Sequence, residues 1–195
     1  MQSPSLRIVA PAFDLPSHSD AEAFGSATWL WMHAKNHRDI PLLALDHMLL
    51  PAISLRQYAL VLEETQTGTR PIGYLGWANL SAEAESRYLH SPFGGLSNLD
   101  WNSGDRMWFV DFFTPFGHSR QVYALLKPLF SGISARYMYH HSNERGVRVL
   151  TYTGSRVERA YARKWWTERP MRAVPHKPDA EAIAAVHTPI HALLS

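Results

Sequence analysis

The chain has 195 residues, of which 46% are hydrophobic and 18% charged, and this is enough for one well-buried core but short for two. It has no cysteine, which excludes a disulfide framework, a thiolate metal site and a cysteine nucleophile. The formal net charge is +2, yet residues 136–177 hold ten Lys and Arg against three Asp and Glu, so this basic segment favours an acidic partner.

The first half of the chain predicts a flexible start, then helices and a hairpin. Residues 1–19 are rich in Pro and Ser and are predicted to be flexible. Ser19 and Asp20 are N-cap candidates for a helix whose apolar residues recur at helical spacing through SDAEAFGSATWLWMHAKN. A shorter helix is predicted in LLALDHMLLPAI, up to Pro51. QYALVLEE and RPIGYLGWANLS, joined by the turn-rich TQTGT, predict an antiparallel hairpin.

The second half predicts alternating helices and strands. Ser81 caps a short helix in SAEAESRYLH, and a strand is predicted from about Arg106 to Thr114. A helix in SRQVYALLKPLF, a strand around VRVLTYTG and a polar, basic C-terminal helix follow. These elements predict one α+β domain over residues 20–175, with a mixed, mostly antiparallel sheet flanked by helices, and a C-terminal tail over residues 176–195.

Localisation and the partner of the basic segment are constrained only by what the sequence lacks. No basic region precedes an apolar core at the N-terminus, and no run reaches the roughly 18 apolar residues of a membrane span. We therefore expect a cytoplasmic protein without stable membrane insertion. Three interpretations of the basic segment are open: it binds nucleic acid, it binds an acidic carrier protein, or it is an ordinary solvated surface. No zinc finger, recognition helix or aromatic RNA-binding signature accompanies it, and no nucleic acid partner is expected.

One carboxylate, Asp111, interrupts the apolar run MWFVDFF of the predicted central strand. Regular alternation along a strand predicts two faces, one with Met107, Phe109, Asp111 and Phe113 and the other with Trp108, Val110 and Phe112. A buried carboxylate is costly unless it is paired or hydrogen-bonded. Two interpretations stay open: Asp111 binds backbone amides or an arginine such as Arg106, or it orients a catalytic imidazole.

Eleven histidines are candidates for that imidazole. His37 follows Leu30 and Ala34 at helical spacing, so we expect it on the inner side of the first helix, at its C-terminal end. His33 and His37 have the spacing of a metal-binding pair, but HAKNH lacks the glutamate of an HExxH site and no metal is expected. Spacing alone does not show which histidine provides the imidazole that Asp111 would orient.

Four motifs in the order of the chain carry a resemblance to a known family. WLWMHAKNHRDIP, LLPAISLRQYALV, IGYLGWANLS and WNSGDRMWFVDFFTPFG resemble the RTX toxin-activating lysine acyltransferases, cytoplasmic proteins that acylate internal lysines of a secreted pore-forming protoxin. The similarity runs from residue 29 to about residue 60 and from residue 72 to 117. It implies that His37, in HRD, is the catalytic histidine and that Asp111, in WFVD, is the catalytic aspartate.

The resemblance also implies a fold like that of the GCN5-related N-acyltransferases and a fatty acyl group delivered on acyl carrier protein, with no tightly bound cofactor. The sequence TPFGHSRQ agrees, because it lacks the Q/R-x-x-G-x-G/A loop that would cradle a pyrophosphate. The expected partners are acyl carrier protein and an RTX-type protoxin, and a homodimer is one possible state. Ala34 and Ile40 depart from the family pattern, which leaves the acyl-chain length and the acceptor open.

The expected chemistry needs a base, because a lysine with a pKa of about 10.4 is protonated at neutral pH and its ammonium cannot attack a thioester. His37 is expected to be the general base, and Asp111 its orienter or a second proton acceptor. A tetrahedral oxyanion also needs hydrogen-bond donors. Tyr74 and Asn79 are candidates, and together with Trp77 they form the expected substrate-binding group.

Three hypotheses of function are carried forward. The leading one is an acyl carrier protein-dependent protein-lysine acyltransferase. A coenzyme A-dependent acetyltransferase of the same fold is the first rival, disfavoured by the missing loop. The second rival is a non-catalytic escort that binds an exported partner through the aromatic surface that seven tryptophans and eight tyrosines suggest. The presence of both His37 and Asp111 favours an enzyme.

Overall fold

The computed structural model describes residues 5–35, 37–91, 95–140 and 147–171. Within them, six strands form one sheet in the order of the chain. The strands are β1 (Leu6–Val9), β2 (Tyr58–Thr65), β3 (Gly68–Leu80), β4 (Arg106–Phe113), β5 (Ser134–His140) and β6 (Val147–Thr153). The helices are α1 (Asp20–His33), α2 (Leu45–Met48), α3 (Leu50–Ser54), α4 (Ala82–His90), α5 (Ser119–Leu126) and α6 (Arg159–Glu168).

The pairing of the strands is antiparallel except at one position in the sheet. Strands β1 to β4 pair antiparallel with their neighbours, as do β5 and β6. Strands β4 and β5 pair parallel, at Trp108 with Arg136 and at Phe109 with Tyr137. The prediction of a mixed, mostly antiparallel sheet flanked by helices is therefore confirmed.

Local sequence signals account for most element boundaries. Helix α1 begins with a capping box, in which the Ser19 backbone donates to Glu22 at 2.9 Å and the Glu22 amide donates back to the Ser19 hydroxyl. Ser81 caps α4 by accepting from the Ala84 amide at 3.1 Å. The predicted hairpin is formed by β2 and β3, and the turn between them is short. The strand predicted over 106–114 is present as β4, and the two helices predicted after it are present as α5 and α6.

The structure differs from the sequence-based expectations at three points. The segment 1–19 was expected to be flexible, but Leu6–Val9 pairs with β2 and buries Val9 and Ala10 completely. The single helix expected up to Pro51 is instead two short helices: α2 ends at Met48, and Pro51 lies in the first turn of α3, where a missing N–H costs nothing. Strand β5 was not anticipated. The predicted tail over residues 176–195 lies outside the described residues.

Helices cover the two faces of the sheet unequally. One face packs against α1, α3 and α4, and its core includes Leu60, Tyr74 and Phe113. The other face packs against α5, which approaches β3 at Gly73 so closely that a Cβ there would lie 2.7 Å from the Val122 side chain. The absence of a side chain at Gly73 therefore sets the distance between α5 and the sheet.

A buried ionic cluster ties the later strands to α4 and α6. Glu85, 1% exposed, accepts hydrogen bonds from Arg106 at 3.0 Å, from the Trp108 indole at 2.9 Å and from Arg136. The Arg136 guanidinium also lies over the Trp165 ring of α6, 5.2 Å from its centroid. Glu85 therefore joins α4 to β4 and β5 around one carboxylate, and Arg136 extends the cluster to α6.

Candidate active site

A β-bulge in β4 places Asp111 on the face of the sheet that packs against α1, α3 and α4. Asp111 pairs with Gly76 of β3, but the next pair along is Phe109 with Trp77, so Val110 is an extra residue on β4. The bulge breaks the alternation on which the sequence prediction relied. Phe109 and Asp111, which were expected to share a face, lie on opposite faces of the sheet.

The bulge divides β4 into two runs of opposite phase. Trp108, Val110 and Phe113 pack with the helices of the first face, whereas Met107, Phe109 and Phe112 pack under α5. An alternating strand would carry Phe109, Asp111 and Phe113 together. The extra residue instead turns Asp111 towards α1 while it leaves two phenylalanines in the core beneath α5.

His37 lies in a turn beyond α1 and not on the helix itself. The helix ends because Ala34 is extended, with φ −85° and ψ 119°. The Ala34 carbonyl then accepts from the His37 and Arg38 amides at 2.9 and 3.0 Å, and the His37 carbonyl accepts from Ile40. The expectation of a helix-borne His37 was therefore wrong in its element, but His37 does point inwards and is 2% exposed.

The structure brings His37 and Asp111 together inside the protein. The His37 Nε2 atom lies 3.7 Å from Asp111 Oδ1, slightly beyond hydrogen-bond distance. The imidazole packs edge-on against Trp31, at 4.4 Å between centroids, and near Phe113, at 5.1 Å. Neither ring nitrogen has a hydrogen-bond partner among the described residues. The two side chains are therefore buried next to each other without a hydrogen bond between them.

Tyr74 of β3 contributes a third buried polar group near His37 and Asp111. Its ring stacks on Phe113 with the centroids 4.9 Å apart, and its hydroxyl is buried without a hydrogen-bond partner in the described part of the chain. A Cβ at Gly76, the residue paired with Asp111, would lie 3.0 Å from this hydroxyl. Burial, followed by the charge of Asp111, raises the pKa of Tyr74 well above its usual value. Tyr74 therefore stays a neutral O–H donor.

Tyr88 of α4 was not identified from the sequence, but the charge of Asp111 also affects its pKa. Burial is the main cause of the raised pKa of Tyr88, and the charge of Asp111 is the second. Tyr88 lies on the buried face of α4, four residues after Ala84. Nothing in the sequence connected Tyr88 with Asp111, because the two residues are far apart in the chain and only folding brings α4 and β4 close together.

Two of the expected substrate-binding residues, Trp77 and Asn79, lie away from His37, Asp111 and Tyr74. The Trp77 ring packs under α5, 5.7 Å from the Phe13 centroid and 5.3 Å from that of Phe130, on the opposite face of the sheet from His37. Asn79 uses its backbone to hold the loop before β4, donating to Trp101 at 2.8 Å and accepting from Ser103 at 2.9 Å. Only Tyr74 of the three joins His37 and Asp111.

The described residues include no group of three or more His, Asp or Glu side chains arranged to hold a metal ion. Within the same ranges, no helix combines the length and the apolar character that crossing a membrane requires. The buried polar groups of His37, Asp111 and Tyr74 are an imidazole, a carboxylate and a phenol, a set suited to moving a proton and donating a hydrogen bond.

Comparison with known proteins decides the family. A family model described as HlyC, RTX toxin acyltransferase family, matches residues 17–153. The chain belongs to the RTX toxin acyltransferase family. The matched range includes His37, Tyr74 and Asp111, and the prediction of this family from four sequence motifs is confirmed.

Three curated RTX toxin acyltransferases illustrate the similarity. The leukotoxin-activating lysine-acyltransferase LtxC of Aggregatibacter actinomycetemcomitans is 33% identical over 150 residues, which cover 77% of this chain and 86% of LtxC. The RTX-I toxin-activating lysine-acyltransferase ApxIC of Actinobacillus pleuropneumoniae is 34% identical over 73% of this chain and 80% of its own. The protein-lysine myristoyltransferase HlyC of Escherichia coli is 32% identical over 73% and 81%, respectively. The prediction of an acyltransferase is likewise confirmed.

Proposed function

We propose that this acyltransferase moves a fatty acyl group from acyl carrier protein to internal lysines of an RTX-type protoxin, with His37 as general base and Asp111 as its orienting carboxylate. The observation that carries the proposal is the burial of these two side chains together, 3.7 Å apart, in a chain of this family. The names of the relatives support the lysine acceptor, since LtxC and ApxIC are both toxin-activating lysine acyltransferases.

The proposed reaction is a balanced acyl transfer. The acceptor lysine first loses its ammonium proton to solvent. His37 accepts a second proton as the neutral lysine nitrogen attacks the thioester carbonyl carbon, and a tetrahedral oxyanion forms. The oxyanion collapses, the carbon–sulfur bond breaks and the leaving thiolate takes the proton from the imidazolium of His37. Asp111 fixes the imidazole and stabilises its charged form. The products are an amide on the lysine and a free thiol on the carrier.

The surroundings of the pair suit this chemistry. Trp31 and Phe113 wall the imidazole on two sides, and Asp111 is 8% exposed. A site from which water is largely excluded strengthens the attraction between an imidazolium and a carboxylate. It also limits hydrolysis of the thioester, which would waste the donor.

Tyr74 is proposed as the donor to the oxyanion. Its hydroxyl is buried, unpartnered and beside the residue that pairs with Asp111, so it is free to donate to a substrate oxygen. The raised pKa of Tyr74, caused by burial and then by Asp111, keeps the proton on the phenol. A hydrogen-bond donor that does not ionise can stabilise developing negative charge throughout the reaction. Trp77 and Asn79 are not proposed for this role.

An acyl carrier protein donor is favoured over coenzyme A by two features of the surface. The loop before α5 lacks a glycine-rich phosphate cradle. On α6, Arg159 and Arg163 are exposed and share one helix face. Arg136 is committed to Glu85, so the basic surface offered to an acidic carrier is smaller than the sequence count suggested. Part of the basic segment lies outside the described residues.

A fold of the GCN5-related N-acyltransferase type is part of the same proposal. It is supported by four antiparallel strands followed by a parallel β4–β5 pair with α5 between them. The coenzyme A-dependent acetyltransferase remains the rival within this fold. The non-catalytic escort is disfavoured by the membership of an acyltransferase family.

Mass spectrometry of an acceptor protoxin, incubated with this protein and either acyl carrier protein or coenzyme A thioesters, tests the proposal. We expect a long acyl adduct on lysine only with the carrier-bound donor, and loss of the adduct in the matched variant Asp111→Asn. An acetyl adduct from the coenzyme A donor would favour the rival enzyme. An acceptor that stays unmodified under every condition would favour the escort.

A further inference from the structure

The indole of Trp31, beside the proposed catalytic pair, is buried without a hydrogen bond. Trp31 lies on the inner face of α1 and is 2% exposed, and its Nε1–H has no hydrogen-bond partner among the described residues. A buried tryptophan N–H normally has one. In this chain, Trp101 donates to the His47 carbonyl at 3.1 Å and Trp108 donates to Glu85 at 2.9 Å. The unsatisfied donor of Trp31 therefore calls for an explanation.

Trp31 is one of three side chains with unsatisfied polar atoms around the Phe113 ring. The ring centroids of Trp31, His37 and Tyr74 lie 5.7, 5.1 and 4.9 Å from that of Phe113, and the indole and imidazole centroids are 4.4 Å apart. The indole N–H, both imidazole nitrogens and the phenol hydroxyl all lack a partner within the described ranges. A buried polar group without a hydrogen bond costs folding free energy. Several such groups in one place indicate that a substrate supplies their partners.

The chemistry of an indole limits what its partner can be. The Nε1–H group only donates, whereas a neutral imidazole and a phenol can both donate and accept. The missing partner of Trp31 is therefore a hydrogen-bond acceptor. In acyl transfer at His37, the donor substrate brings such an acceptor in its thioester carbonyl oxygen. This oxygen becomes more negative when the lysine attacks, so that a nearby donor stabilises the transition state most.

We infer that the Trp31 Nε1–H donates to the carbonyl oxygen of the acyl donor, and that it forms a two-donor oxyanion site with the Tyr74 hydroxyl. The inference rests on the proposed function, in which acyl transfer takes place at His37. The two donors come from α1 and β3, and both rings pack on Phe113. Donors that are held in place by packing need no reorganisation during the reaction, which is the basis of this kind of catalysis.

Replacing Trp31 by benzothienylalanine, in which a sulfur takes the place of the N–H, tests the inference while it keeps the shape of the ring. The kcat for transfer from a fatty acyl carrier protein should fall by about 10²- to 10³-fold. The KM for the carrier should change little, because the hydrogen bond acts in the transition state. The Tm should equal or exceed that of the wild type, since an unpaired buried donor has been removed.

The same replacement at Trp101 is the matched control. Trp101 is 1% exposed, and its N–H already donates to the His47 carbonyl. Benzothienylalanine at this position should therefore lower the Tm and keep kcat. Release of the carrier thiol measures kcat and KM for both variants.

Nuclear magnetic resonance of the wild-type protein covers the case in which the variant at Trp31 does not fold. The indole N–H resonance of Trp31, assigned through its contacts with the Phe113 ring, should move downfield when a carrier with an amide in place of the thioester binds, because the amide keeps the carbonyl oxygen. A carrier in which a methylene replaces the carbonyl should leave this resonance in place. The Trp101 resonance should respond to neither carrier.

The possible failures of the inference and of the proposed function differ. A benzothienylalanine variant at Trp31 with kcat within about threefold of wild type, or a Trp31 resonance that responds equally to both carriers, would overturn the inference and leave the proposed function intact. A parallel loss of Tm and kcat would also overturn it, because the N–H would then have a structural role. A wild-type protein that transfers no acyl group from any carrier thioester would instead refute the proposed function.

Discussion

Replacing Tyr74 by Phe removes a single oxygen atom and should move stability and activity in opposite directions. The hydroxyl is buried and has no partner among the described residues, and such a group costs about 1–3 kcal/mol of desolvation in the folded state. Tyr74→Phe should therefore raise the free energy of unfolding by about 1 kcal/mol, which corresponds to roughly 2–4 °C in Tm for a chain of this size. The stacking on Phe113 at 4.9 Å is retained.

The same variant should lose catalysis, because it removes a donor to the oxyanion. Loss of one such donor lowers kcat by about 10²- to 10³-fold, and the KM for the carrier should change little because the hydroxyl acts in the transition state. Release of the carrier thiol gives kcat and KM, and urea unfolding gives the stability. Tyr58→Phe is the control: this ring stacks near Tyr74 at 6.4 Å, but its hydroxyl has a hydrogen bond with the His18 backbone. Tyr58→Phe should lower stability and keep kcat.

Two outcomes would refute this reasoning. A Tyr74→Phe variant with kcat within about threefold of wild type would remove Tyr74 from the mechanism. A variant that loses stability together with activity would show that the hydroxyl is satisfied in solution and that its role is structural.

Three further predictions follow from the site, the basic surface and the buried cluster. His37→Phe keeps a ring against its aromatic neighbours and should lower kcat by about 10²- to 10⁴-fold with a near-wild-type Tm; Asp111→Asn should do the same, and a collapse of Tm in either would favour a structural role. Arg159→Glu with Arg163→Glu should raise the KM for acyl carrier protein and weaken its dependence on salt while kcat is kept, because exposed charges act mainly on encounter; a KM that is salt-independent in the wild type would contradict this. Glu85→Ala should cost about 3–5 kcal/mol in urea unfolding, since it leaves two buried guanidinium groups without their carboxylate, and a loss below about 1 kcal/mol would show that water replaces it.

The sequence predicts those features that local signals determine. The capping box at Ser19, the cap at Ser81 and the turn between β2 and β3 each involve residues close together in the chain, and each is present. The pair His37 and Asp111 was selected by resemblance to a family motif, and the fold brings the two side chains together. Their catalytic roles remain proposals.

Features that depend on pairing between distant segments were missed. The bulge at Val110 follows from the register between β3 and β4, which no periodicity in β4 reveals. The position of Trp77 was missed for another reason: it lies three residues after Tyr74 on β3, and an odd spacing along a strand places two side chains on opposite faces. Strand β5, SARYMYH, was missed although the turn signal of Ser131 and Gly132 precedes it.

The short strand β1 has a consequence for the solution behaviour of shortened forms of the protein. It covers the outer edge of β2, where Tyr58–Leu62 are all buried and apolar. A variant that starts at residue 20 would expose the unpaired N–H and C=O groups of that edge together with apolar side chains, which is the arrangement that recruits strands from other molecules. We expect such a variant to precipitate or to form mixed oligomers while the purified full-length chain does not, and light scattering distinguishes the two.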